Sequence, residues 1–229
     1  MKPSATDVSC TGQLGGKRLA ARRDAFLAAA REVFQEKGYA EATLDDVIGR
    51  SGGSRQTLYA LFGGKQGLFE AIISENCETI FQGLTPETLA SRTPEEVLRE
   101  VGRRYLAIVT SPACLSLNRL VIAEALRIPE LAERFWKSGP GRSRAFLTEF
   151  FDRQVERGVL RMCDSRAAAD YFLDMLSGTP RLQCLIGLRA PPLSSEIDRM
   201  VDDAVTHFLE GCLVKSSDQS DSDNRQLPS

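Results

Sequence analysis

Residues 43–62 read TLDDVIGRSGGSRQTLYALF, and this stretch decides the fold. Two short helical patterns flank a glycine-rich turn. Thr43 is a good N-cap residue, with Asp46 three positions on as its capping-box partner. Leu44, Val47 and Ile48 fall on one face of the first helix. Gly49 offers a small residue where a second helix could cross, and Gly52 offers a residue tolerant of positive φ at a sharp turn. Ser54 caps the second helix and Leu58 points back into the core. Between them Arg55, Gln56 and Thr57 are exposed polar side chains. Gln can pair with adenine and Arg with guanine in the major groove. The pattern is that of a helix-turn-helix.

Working outward, almost every ordered segment reads as helix, and strand-like alternation is absent over any useful length. The first helix is predicted over Lys17–Lys37, with Phe26, Leu27, Ala30, Val33 and Phe34 at helical spacing and Gly38 as its C-cap. Gly63 and Gly64 interrupt the chain, and Lys65 opens a longer helix to Gln82. Thr93, Pro94 and Glu96 mark a start by N-cap, Pro at N1 and Glu at N3, for a helix to Thr110. Further helices are predicted over Ala113–Arg127, Pro129–Lys137 and Arg142–Arg157. Asp164 should cap Ser165–Ser177, a break at Gly178-Thr179-Pro180 should precede Arg181–Leu188, and Ser194 or Ser195 should open a last helix to Leu213. The expected organisation is a flexible arm (1–16), a helix-turn-helix head (17–64), a larger helical body (65–213) and a polar, disordered tail (214–229). The fold class is all-α.

Bulk properties bound the function. The chain has 229 residues, 42% hydrophobic and 26% charged, ordinary for a soluble globular protein. No apolar run approaches the roughly 18 residues of a membrane span, and the first residues carry no apolar core of a secretory signal. A cytoplasmic protein with no membrane partner is expected. The formal net charge is −2, but it is unevenly spread. Residues 1–65 carry ten Lys/Arg against seven Asp/Glu, a surplus of +3, and the remainder is at −5. A basic end on an acidic body suits a module that meets phosphate joined to one that does not. The six cysteines, Cys10, Cys77, Cys114, Cys163, Cys184 and Cys212, form no C-x-x-C pair, and His207 is the only histidine. Neither a zinc site nor a disulfide framework is expected, and no cofactor. Reduced, buried thiols are the plain reading, with a redox-sensing pair as the alternative. No Ser/His/Asp order, metal set or phosphate-binding glycine loop points to an enzyme.

Taken together, these residues resemble the TetR family of repressors. The likeness is carried by Arg23, Ala30, Phe34, Gly38 and Tyr39, then Thr43, Leu44, Val47, Ile48, Gly49 and Gly52. It continues through Ser54, Arg55, Thr57, Leu58, Tyr59, Phe62, Lys65 and Leu68, with spacing preserved throughout. The stretch Leu120–Ala132 is similar to the C-terminal region of AefR/AcrR-like members. There are departures. Gly53 stands where the family has Val, which should remove an apolar contact and loosen the turn. Gln56 replaces a Gly and adds a side chain able to read bases. Leu61 replaces an aromatic or His that often contacts phosphate, and Gln66 replaces a Glu.

The resemblance implies a dimeric repressor that binds double-stranded DNA at a pseudo-palindromic operator and is released by a small apolar or amphipathic effector. Its DNA-binding residues would be Thr43, Ser54, Arg55, Gln56, Thr57, Tyr59 and Lys65. Thr43 would hold a phosphate by hydroxyl and backbone N–H, Tyr59 by its hydroxyl, and Lys65 with help from a helix dipole. The alternative for Thr43 and Ser54 is capping alone, and for Tyr59 packing. Lys17, Arg18, Arg22 and Arg23 are either a solvated face or an arm into the minor groove. The effector pocket would draw on Tyr105, Ile122, Trp136, Phe150, Tyr171 and Met175. The homodimer interface would draw on Leu176, Leu185, Val201, Val205 and Phe208, with Leu182 and Ile186 in the same apolar stripes. A helical small-molecule-binding protein with a vestigial head is the competing reading.

Overall fold

A computed structural model describes residues 8–212 as helices and connecting turns, with no strand among the described residues. The helices are α1 (Val8–Glu41), α2 (Leu44–Ser51), α3 (Arg55–Phe62), α4 (Lys65–Phe81), α5 (Pro86–Ala90) and α6 (Pro94–Val109). They continue with α7 (Pro112–Glu124), α8 (Pro129–Ser138), α9 (Pro140–Glu156), α10 (Ser165–Leu185) and α11 (Ser194–Cys212). The all-α expectation holds. No single helix among the described residues is long and apolar enough to cross a membrane.

The starts follow local chemistry. Thr43, Ser54, Thr93, Ser111 and Asp164 each accept a backbone N–H from the first turn they precede. Gly38 interrupts α1 with φ 76°, where the C-cap was expected. Three differences stand out. The helix begins at Val8, inside the stretch expected as a flexible arm; once a helix is nucleated, each added residue gains a hydrogen bond. Residues 1–7 and 213–229, including the expected tail, lie outside the described residues. The short α5 was not anticipated, although Thr85-Pro86 repeats the Thr93-Pro94 start signal, with Thr85 and Thr88 forming a capping box.

The third difference is in α10. No break occurs at Gly178-Thr179-Pro180, and the helix runs on to Leu185 with Pro180 buried inside it. Proline removes one helical hydrogen bond, but burial of α10 against its neighbours holds the segment straight through. Arg119 of α7 then donates to the Leu185 carbonyl at 2.8 Å and the Cys184 carbonyl at 2.7 Å, satisfying the helix end.

Two apolar clusters form the interior. One gathers α6, α9, α10 and α11 around Leu98, Phe151, Phe172 and Val201. There α6 approaches α11 so closely that a Cβ on Gly102 would stand 2.9 Å from Val201 Cγ1. The other gathers Phe26, Val33, Leu58 and Phe69 of α1, α3 and α4. It continues into Leu117 and Val121 of α7 and Leu131 of α8. The core under the helix-turn-helix is therefore shared with helices of the body.

Candidate nucleic-acid interface and internal cavity

The helix-turn-helix is held from three sides. Thr43 Oγ1 accepts from Asp46 N at 3.1 Å, and Asp46 Oδ2 accepts from Thr43 N at 3.0 Å and Thr43 Oγ1 at 2.7 Å. Lys37 Nζ donates to Asp46 Oδ1 at 2.6 Å. Lys37, then the Thr43 hydroxyl and amide, pull the Asp46 carboxyl down to about 2. Both Thr43 donors expected to take a phosphate are thus engaged by Asp46.

The turn itself corrects two expectations. Gly52 and Gly53 have φ 67° and 99°, so the chain passes through two consecutive left-handed residues. A Cβ on Gly53 would meet Phe26 Cζ at 3.0 Å and Arg22 Cδ at 3.3 Å. Gly53 does not leave a loose turn by omitting a valine, because α1 fills the space a side chain would take. Gly49, by contrast, is exposed, with nothing within 4 Å of a built Cβ. No helix crosses there, and the crossing role expected of it is not realised. Arg22 Nη1 donates to the Ser51 carbonyl at 3.2 Å, so this arginine ties α1 to the turn, while Lys17 and Arg18 stay exposed.

On α3 the expected readers face solvent. Arg55, Gln56 and Tyr59 are exposed and Thr57 is half-buried. Ser54 Oγ caps Thr57 N at 3.1 Å and lies 2.9 Å from Thr57 Oγ1, which ties both hydroxyls locally. Arg55 Nη2 pairs with Asp45 Oδ2 of α2 at 2.6 Å, both largely exposed. Lys65 Nζ donates to the Ala40 carbonyl at 2.9 Å and sits 4.6 Å from the Tyr39 ring centroid. Burial lowers the Lys65 pKa from its ordinary value. Leu61, half-buried, packs on the core of the head.

Within the body, α4, α6, α7, α8, α9 and α10 enclose a cavity of about 170 Å³. Of the expected pocket residues, Tyr105 and Trp136 line it. The other four do not. Ile122 is 65% exposed, Phe150 lies in the body core, and Tyr171 and Met175 stand on the outer face of α10. Helical periodicity marks a face as apolar without saying whether a cavity, a neighbour or solvent lies against it. The lining also holds polar groups not anticipated from sequence, among them Asn118, Ser143, Arg144, Ser177 and Arg181. Asn118 had a signal, being a lone amide within the apolar run of α7. Burial raises the Tyr105 phenol above its ordinary value, with Ser177, Arg181 and Arg144 opposing. It likewise raises the thiols of Cys77 and Cys114, both on the cavity wall.

The expected dimer residues are also redistributed. Leu176, Val201, Val205 and Phe208 are buried in the chain's own core, and Leu185 is half-buried. The uncovered stripe of α10 is instead Tyr171, Met175 and Leu182, continued by its C-cap residue Ile186, at 68%, 48%, 56% and 61% exposure. Spacings of four, seven and four residues put them on one face.

Comparison with known proteins agrees with this geometry. Residues 26–72 match the family described as bacterial regulatory proteins of the tetR family, and residues 96–211 match the AefR-like transcriptional repressor, C-terminal domain. The chain is similar to the HTH-type transcriptional regulator SrpR of Pseudomonas putida, 24% identical over 157 residues, covering 68% of this chain and 72% of that relative. A TetR-family regulator from Mesorhizobium loti has a solved structure that superposes with a TM-score of 0.70 at 26% identity, covering 86% of this chain and 99% of the other. The structure of the flavonoid-responsive regulator FrrA superposes with a TM-score of 0.66 at 28% identity, covering 85% and 98%.

Proposed function

This chain belongs to the TetR family of transcriptional regulators, and on that premise we propose that it is a homodimeric repressor released from its operator by a small molecule. It is a DNA-binding regulator and not an enzyme, as its relatives are. The observation that carries the fuller reading is α7. Its Asn118 lines the cavity, while its Leu117 and Val121 pack in the core beneath the helix-turn-helix. A ligand that moves α7 acts on the head directly, shifting the population between DNA-competent and released arrangements.

Head (17–64) and body (65–213) divide the work. Arg55 and Gln56 read base edges, and Tyr59 contacts the phosphate backbone. Lys65 contributes positive potential near its helix N-terminus while tied to Ala40. The apolar stripe of α10 pairs with its copy in a second chain, and the two-fold axis sets the recognition helices about 34–36 Å apart, one turn of DNA. An operator of pseudo-palindromic sequence follows, and action in the cytoplasm, where that DNA lies. The name of FrrA speaks for a small-molecule response in a structural relative.

Gel shifts with the DNA flanking the gene, at several salt concentrations, test the reading. A specific band that weakens as salt rises is expected. The absence of any specific band would leave a helical small-molecule-binding protein with a vestigial head.

A further inference from the structure

The cavity has an electrostatic asymmetry that narrows its ligand, given the ligand-release reading above. Two arginines line it, and they are in different states. Arg144 is neutralised: its Nε pairs with Asp170 at 2.5 Å and its Nη2 with Asp174 at 3.4 Å. Its guanidinium also lies 4.9 Å from the Trp136 ring centroid. Asp174, the one carboxylate on the cavity wall among the described residues, is spoken for by this pair and its side chain is 72% exposed.

Arg181 has no such partner. Among the described residues, no carboxylate oxygen lies within 4.0 Å of its guanidinium nitrogens. Its Nη2 donates to Asn118 Oδ1 at 2.5 Å, and Asn118 is 3% exposed. Asn118 is fixed in turn, since its Nδ2 donates to the Cys114 carbonyl at 2.7 Å. A guanidinium has five N–H donors, so one bond to Asn118 orients the group and leaves the rest to spare. A planar cation held this way matches the two oxygens of a carboxylate.

The remaining wall sets the body of the ligand. Ile73, Ile80, Ile108, Leu117, Phe135 and Trp136 are apolar or carry a large apolar surface. A cavity of roughly 150 Å³ lined by such groups holds benzene, and this one measures about 170 Å³. We propose that the cavity takes a small carboxylic acid whose apolar body is about one ring in size, its carboxylate on the Arg181 guanidinium.

Calorimetric titration of the full chain with phenylacetate and with its neutral isostere phenylacetamide tests this. Phenylacetate is expected to bind tighter by about tenfold or more, the margin of a charge-assisted bidentate contact. Arg181→Gln should erase that margin, and a helical signal and thermal unfolding matching those of the unaltered protein show that the variant is folded. Equal binding of the two probes to the unaltered protein would overturn the carboxylate assignment and leave the ligand-cavity reading standing. Binding of neither would overturn both. A margin that survives in Arg181→Gln would place the charge recognition elsewhere and overturn the assignment.

Discussion

Helices α3 and α10 each leave one face uncovered, and the two faces have opposite chemistry. The face of α3 offers Arg55, Gln56 and the hydroxyl-bearing Tyr59, over a turn locked by Gly52 and Gly53. The face of α10 offers Tyr171, Met175 and Leu182, with Ile186 at its C-cap. Polar, donor-rich side chains with a positive charge suit phosphate and base edges, where water is already plentiful. An exposed apolar stripe suits another protein surface, because leaving it in water forgoes the gain of burial. Exposure alone does not define a site; the chemistry of what is exposed does. It also explains why a helix that looked like a core-and-partner hybrid from sequence sorts cleanly into a buried side (Phe172, Leu173, Leu176) and an uncovered one.

The sharpest way to break this contrast is to charge the apolar face. Leu182→Glu leaves the chain's own core untouched, since Leu182 is 56% exposed. Light scattering should report a single chain. Operator affinity should fall by about 100-fold or more, as for a charge placed in an interface hot spot. A variant that remains dimeric and binds unchanged would reassign the stripe.

The second contrast concerns interiors. The core under the recognition helix is not private to the head: Phe69 of α4 packs against Phe34 and Tyr39, with centroids at 6.2 and 5.2 Å, in a cluster that reaches α7 and α8. Phe69→Ala should cost about 3–5 kcal/mol. Because Trp136, the sole tryptophan, lies on α8, its fluorescence and the far-ultraviolet helical signal should fall together in denaturant. Two separate transitions would mean that head and body fold independently.

How much of this was legible in the sequence follows the same divide. In the head, function depends on neighbours a few residues apart. Caps at Thr43 and Ser54, positive φ at Gly52, burial of Leu58 and exposure of Arg55 and Gln56 could all be read locally. The exceptions are informative. Gly53 is constrained by Phe26, 27 positions away, and no helix arrives to cross Gly49; neither fact is local in the sequence. In the body, the cavity wall is assembled from six helices, so sequence alone points to Tyr105 and Trp136 but not to Asn118 and Arg181. Periodicity gave apolar stripes on α10 and α11 but not which stripe the chain itself would cover.

The turn offers a smaller, sharper test. Gly53→Val restores the residue expected of the family but places a β-branched side chain at φ 99°, against Phe26. Stability should fall by about 1–3 kcal/mol, the range for a residue held in a sparsely populated backbone region. Thermal unfolding checks it, and a stabilised variant would show that the turn relaxes to negative φ.

The smallest effect separates capping from DNA contact at Thr43. Thr43→Ala removes the side-chain cap of α2, a loss of about 1 kcal/mol. Asp46 reports it independently. With its pKa at about 2 in the folded chain against an ordinary 3.8, Asp46 supports the fold above its unfolded pKa. That support is lost as pH falls from near 4 through about 2. Without the Thr43 hydroxyl, the Asp46 pKa should move up toward 3.8, with Lys37 and the backbone amide still holding it partly down; carboxyl NMR titration follows this. Operator affinity should not change. The hydroxyl already donates to Asp46, and the carboxylate beside it disfavours a phosphate. A uniform loss of affinity for every DNA sequence would instead make Thr43 a phosphate ligand. It would mean that Asp46 swings away when DNA arrives, with Lys37 free to follow the phosphate.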